Sequence, residues 1–186
     1  RFEIIRRGLT IKNGTLLDIG AHWGYFCHKF EEIGFHCTAM EGSPKNLYFL
    51  RKLRRAGNAS FKIVNKSVFD CEDDKNELNF DVILALNIFN QFRDIEKKDL
   101  YFKLIKLFRI LKAKEIYFQM PDEPKGIQQV QEQVEVQVKD KYRNINRNRG
   151  KNYSYQEIID FIIGNTNFNN VDRIGEERNC GIYKLY

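Results

Sequence analysis

The chain has 186 residues, 42% of them hydrophobic and 13% aromatic, and a net charge of +6. That is length enough for one domain with its own core, and no apolar run reaches the roughly 20 residues of a membrane-spanning helix. Cys27, Cys37, Cys71 and Cys180 lack C-x-x-C spacing, so no metal site is expected, and free thiols in a reducing cytoplasm are the simplest reading. The sequence opens at Arg1 without methionine, which leaves room for an upstream segment.

Residues 15–19 read as a first strand, and 23–33 as a helix with Phe26, Phe30 and Ile33 on one face. A second strand follows at 35–40. Ser43 and Pro44 then supply an N-cap and a first-turn proline, and the helix they open points Leu47, Leu50 and Leu53 inward. A third strand is predicted at 61–64, a polar connector at 70–79, and a continuous apolar strand at 82–86, as suits a parallel sheet covered on both faces. Leu100, Leu104, Phe108 and Leu111 extend a helix to about 111, before a fifth strand at 115–119. Pro121 and Pro124 break the pattern, and 128–138 fits either a helix or a strand. A last helix at 155–163 precedes a hairpin of 171–174 and 182–186. Strands alternating with helices imply a single α/β domain over 1–186, built on a doubly wound, mostly parallel sheet.

The chemistry concentrates in Leu16-Leu17-Asp18-Ile19-Gly20-Ala21-His22-Trp23-Gly24-Tyr25-Phe26. An apolar strand ends on a carboxylate, turns through two glycines and enters a helix. A second carboxylate, Glu41 in Met40-Glu41-Gly42, closes the next strand about twenty residues on, which is the layout of a nucleotide pocket at the carboxyl edge of a parallel sheet. The loop is unsuited to pyrophosphate. His22 occupies the place of the second glycine of G-x-G-x-x-G, and no third glycine follows. S-adenosylmethionine (SAM) carries a sulfonium and an ammonium instead of phosphate, so a carboxylate at the loop mouth favours it. Glu41 can accept ribose hydroxyls from either cofactor class and does not discriminate between them.

Asp18 to Gly24, followed by Glu41-Gly42-Ser43-Pro44, resembles motif I and the acidic motif of class I SAM-dependent methyltransferases. The stretch from Asp18 to Phe26 is especially similar to the FkbM-type loop. Phe80 to Phe92 resembles the fourth-strand motif of methyltransferases acting on bacterial surface polysaccharides, with Asn90-Gln91 where those often carry a His pair. The resemblance implies a Rossmann-like seven-stranded sheet with an antiparallel last strand, SAM as cofactor, and methyl transfer to a sugar, glycan or related small metabolite. It assigns the amino-acid end of SAM to Asp18 and the Gly20–Gly24 loop, with Ala21, His22, Tyr25 and Phe26 beside it. Glu41 falls to the ribose. Gly42, Ser43, Ser67, Val68 and Phe69 flank adenine, and Asn87 and Ile88 stand beside the sulfonium and the acceptor. His22 and Asn87 are the candidate catalytic residues.

Residues 121–153 read as an acceptor-side insertion. Between Lys139 and Lys151 six cations face one carboxylate, enough to attract an anionic acceptor or to form a solvated loop. An RNA methyltransferase using Tyr142, Arg143, Arg147 and Arg149 is the alternative enzyme, although nucleic acid is not the favoured partner and Asn87-Ile88-Phe89-Asn90 lacks the N-P-P-[YF] signature. A non-catalytic SAM-binding scaffold is the alternative outside enzymes. The sequence carries no sign of oligomeric state.

Overall fold

The computed structural model describes residues 1–68, 78–86, 107–108, 110–121, 155–177 and 180–186. Among these, seven strands form one sheet: β1 (Gly14–Ile19), β2 (Phe35–Met40), β3 (Lys62–Val64), β4 (Leu78–Ala85), β5 (Leu111–Pro121), β6 (Val171–Glu176) and β7 (Cys180–Leu185). Their order is β3-β2-β1-β4-β5-β7-β6. The strands β1 to β5 pair in parallel, and β7 runs antiparallel to both β5 and β6. Helices among the described residues include α1 (Phe2–Gly8), α2 (Tyr25–Glu31), α3 (Pro44–Ala56) and α4 (Tyr155–Asn165).

The central strands are apolar on both sides because both sides are covered. Leu16, Val82 and Leu84 pack with Ile5, Cys27, Phe30, Leu47 and Leu50, which come from α1, α2 and α3. Leu17, Ile19, Ile83 and Ala85 face the other way, onto Leu107, Ile158 and Ile162. The strand order reverses between β1 and β4, which opens a crevice at their carboxyl ends.

Several limits differ from the sequence reading. Strand β4 begins at Leu78, inside the expected connector, because Leu78 and Phe80 pack on the core while Asp81 stays at the rim. There Asp81 accepts hydrogen bonds from the Thr15 amide and hydroxyl and pairs with Lys114 at 2.8 Å. The Lys114 ammonium and the Thr15 amide hold its carboxyl down at about 2. Leu111 belongs to β5 rather than to the preceding helix, since it pairs in register with Leu78. Leu53 is 42% exposed, not inward, and Ile33 lies beyond the end of α2. The helix α1 was not anticipated.

A buried polar network ties the approach to β1 onto the far side of the sheet. The Lys184 ammonium reaches Glu115 Oε1 at 2.9 Å and donates to the Gly8 carbonyl at 2.9 Å. Glu115 also accepts from the Thr10 amide at 3.0 Å, the Thr10 hydroxyl and the Tyr117 hydroxyl. Burial pushes Glu115 up, but the bonds from Thr10, Tyr117 and Lys184 outweigh it and hold the carboxyl below the ordinary range.

Candidate cofactor site

Strand β1 delivers Asp18 to the crevice with 3% of its surface exposed. The chain then turns sharply. The Gly20 and Ala21 amides both donate to the Met40 carbonyl, at 2.9 and 3.0 Å, so the loop is stitched to the end of β2. Gly20, His22 and Gly24 take φ of +70°, +54° and +85°, three left-handed residues within five positions. Such a φ strains a histidine, and it persists only where neighbours enforce it. Here the His22 amide donates to Glu41 Oε2 at 2.8 Å.

Glu41 has a second task. Its Oε1 accepts the Ser43 amide at 2.8 Å, so one buried carboxylate joins the β1–α2 loop to the start of α3. Each oxygen retains a lone pair for a further donor. Ser43 sits at the N-cap position of α3 without a side-chain capping bond, its amide being taken by Glu41. Gly42 lies against the Ser67 backbone, where an added Cβ would come within 3.1 Å of the Ser67 nitrogen.

A cavity of about 390 Å³ opens at this edge, lined by Asp18, Ile19, Gly20, Ala21, His22, Trp23, Tyr25 and Phe26, with Leu86 from the end of β4. Arg1 and Glu177 border it from α1's side and from the β6–β7 connection. Its size falls within the roughly 300–1,000 Å³ of small-molecule sites. The two glycines do different jobs. A Cβ on Gly20 would meet no protein atom within 4 Å, so its backbone is bare toward the cavity. A Cβ on Gly24 would lie 2.6 Å from Leu50 Cδ1 and 3.2 Å from Phe61, so Gly24 lets α2 close against its neighbours.

Asp18 Oδ2 is buried and has no hydrogen-bond partner among the described residues. Burial, and then the charge of Glu41, push its carboxyl up to about 8. A buried unpaired carboxylate is costly. An ammonium entering the cavity would supply the missing partner, and a phosphate would worsen the repulsion. The donor set therefore fits the cationic amino-acid end of SAM.

The predicted residues thus divide. Asp18, Gly20, Ala21, His22, Tyr25 and Phe26 line one cavity. Glu41, Gly42, Ser43, Ser67 and Val68 are outside its lining and follow the carboxyl ends of β2 and β3, Glu41 reaching the loop through the His22 amide and Val68 being buried in the core. Phe69, Asn87 and Ile88 lie outside the described residues, as do Asn90, Gln91, Cys71 and the 122–154 segment. Leu86 was missed because an apolar strand-end residue looks like core, and Arg1 because nothing in the sequence ties it to the loop. His28 packs edge-on against Phe61, and His36 is exposed on β2. Cys27, Cys37 and Cys180 are free thiols. No described helix is long and apolar enough to cross a membrane.

No protein-family model matches this sequence, and no curated protein matches it. Solved structures do. The bifunctional kinase-methyltransferase WbdD aligns at 13% identity with a TM-score of 0.64, over 99% of this chain and 37% of its own. This chain therefore spans well under half of WbdD. The N-methyltransferase NodS from Bradyrhizobium japonicum aligns at 12% identity and a TM-score of 0.60, over 98% of this chain and 91% of NodS. A SAM-dependent methyltransferase from Clostridium acetobutylicum aligns at 10% identity and 0.65, over 99% and 89%. The strand order, the antiparallel β7 and these neighbours agree: the chain has the Rossmann-like fold of the class I SAM-dependent methyltransferases.

Proposed function

We propose that the protein is a SAM-dependent methyltransferase whose cofactor lies in the cavity over the β1–α2 loop. The observation that carries this reading is the buried, partnerless Asp18 oxygen below the bare Gly20 backbone, at the strand-order reversal of a methyltransferase-type sheet. Bound SAM supplies an activated methyl group on a sulfonium. The protein's part is to bind and orient. Asp18 takes the ammonium, and the backbone from Gly20 to His22 shapes the amino-acid end. Glu41 uses its remaining lone pairs for ribose hydroxyls while holding the two loops together. Gly42, Ser43, Ser67, Val68 and Phe69 border the adenine, and Asn87 and Ile88 the reacting centre.

The acceptor is a sugar, glycan or related small metabolite, a reading supported by the resemblance of the Asp18–Phe26 and Phe80–Phe92 stretches. His22 lines the cavity with its ring stacked on Trp23 at 4.8 Å, within reach of an entering hydroxyl as a hydrogen-bonding group or base. The free thiols support a reducing compartment such as the cytoplasm. Calorimetry with SAM, S-adenosylhomocysteine and NAD tests the cofactor: the first two bind and NAD does not. Binding of NAD, or of none of the three, overturns the reading. Labelled SAM offered to a panel of sugars and glycans then tests turnover, and SAM binding without transfer to any acceptor would make the chain a scaffold.

A further inference from the structure

The helix α3 has two unlike sides. Leu47 and Leu50 are buried in the core. The outer side carries no carboxylate: Lys45, Arg51, Lys52 and Arg55 are all exposed, and none forms an ion pair with another described residue. Tyr48 stands in their midst, three residues after Lys45, four before Lys52 and seven before Arg55. On a helix these positions share one stripe. The Lys52 ammonium rests over the Tyr48 ring at 4.5 Å.

The aromatic surface continues from there. Tyr48 meets Phe49 edge-on at 5.3 Å, Phe49 meets Trp23 at 5.2 Å, and Trp23 stacks on His22 at 4.8 Å. Four rings in successive contact therefore run from the basic helix to the mouth of the cavity. They are open to a partner, since Tyr48 is 53% exposed, Trp23 45% and Phe49 37%.

We propose that this face binds a single-stranded polynucleotide, its phosphates on the α3 cations and its bases against the Tyr48–Phe49–Trp23 rings. Rings interleaved with cations along one track match a strand that alternates planar bases with charged phosphates. A membrane-surface helix would instead sink its apolar stripe into lipid, whereas α3 commits Leu47 and Leu50 to the core and leaves Tyr48, Phe49 and Leu53 exposed among its cations. The α3 cations, Tyr48 and Phe49 lie outside the lining of the cofactor cavity and Trp23 belongs to it, and strand binding does not depend on methyl transfer. A strand held there brings a ribose, itself a sugar, to the cavity mouth.

The test is fluorescence anisotropy with a labelled oligouridine across a salt series, beside calorimetry with SAM on the same samples. Binding is expected to weaken with salt, and replacing Lys45, Lys52 and Arg55 together with glutamine should cut the logarithmic salt slope by about 2, at roughly 0.7 per released phosphate contact. Tyr48→Ala should lower affinity about tenfold, the scale of one lost base stack. Both variants should keep the SAM affinity of the unsubstituted protein, which shows them folded. Absence of oligouridine binding at about 50 mM salt overturns the proposal. So does binding that polyphosphate matches and Tyr48→Ala leaves unchanged, which would be a charge effect alone, and so does binding to anionic phospholipid vesicles in place of the oligonucleotide. Strand binding without SAM binding would uphold this surface and sink the methyltransferase reading; the reverse result would do the opposite.

Discussion

Replacing Asp18 with asparagine should make the ligand-free protein more stable in alkaline solution while stripping it of cofactor affinity. Burial, with Glu41 second, raises the Asp18 carboxyl from 3.8 to about 8. The folded protein therefore keeps a proton that the unfolded chain has lost over that window. With the native form binding more protons, stability falls as pH rises, by up to about 1.4 kcal/mol per unit. The full window sets an upper bound of about 6 kcal/mol, which water entering at the cavity mouth reduces. Asparagine has nearly the same shape and never ionises. Urea unfolding of the two proteins should give similar stabilities below about pH 4, with a gap in favour of Asp18→Asn that widens from there up to about pH 8 and stays constant above it. SAM affinity of the unsubstituted protein should rise over the same range as Asp18 ionises, and the variant should lose about 2–5 kcal/mol of binding, the scale for removing one partner of a buried charge pair. A gap that stays constant from acid to alkaline pH would refute the placement of an unpaired carboxyl at Asp18.

Glu41→Ala frees the His22 and Ser43 amides as well as removing a ribose acceptor, so calorimetry should show SAM binding weaker by about 1–3 kcal/mol and unfolding should show a loss of similar size. Unchanged affinity would take Glu41 away from the ribose. Gly20→Val should block SAM while the chain stays folded, at a backbone cost of about 1–2 kcal/mol for a left-handed residue; circular dichroism and calorimetry read the two effects separately. Lys184→Met leaves Glu115 buried without its cation and should cost about 3–5 kcal/mol in urea unfolding, against little change in SAM affinity for the protein that remains folded.

The sequence displayed the parts of the fold that depend on local pattern. Strand β2 was read at 35–40 and is observed at Phe35–Met40, because its apolar run is bounded by Gly34 and by the Glu41-Gly42 turn. The doubly wound sheet was legible from the alternation of strands and helices, whereas the antiparallel last strand was implied by the resemblance to class I methyltransferases. The errors came where one pattern overlaps another. Leu111 continues the helical spacing of Leu104 and Phe108 and yet opens β5, since pairing with Leu78 outweighs helical periodicity there. Leu53 falls on the helical stripe of Leu47 and Leu50 but lies past the edge of the core. In the site, Asp18, Gly20 and Glu41 were visible through motif spacing. The double bond from Glu41 to the His22 and Ser43 amides was not, because only three-dimensional closure brings those amides to one carboxylate. Likewise no local signal links Glu115 to Lys184.

That last pair has a consequence for how the chain folds. Strand β7 follows β6 in sequence, yet it lies between β5 and β6. Contacts such as Lys184 to Gly8, 176 residues apart, close very long loops, and they form late because the entropy of closure comes due before the contact rewards it. During synthesis, β5 remains an open edge, with Glu115 lacking its cation, until residues 180–185 emerge. An unpaired strand edge of this kind is a template for pairing with other chains. The nascent protein is therefore most prone to aggregate in the interval before β7 arrives, and a truncation just short of Cys180 should accumulate in that state.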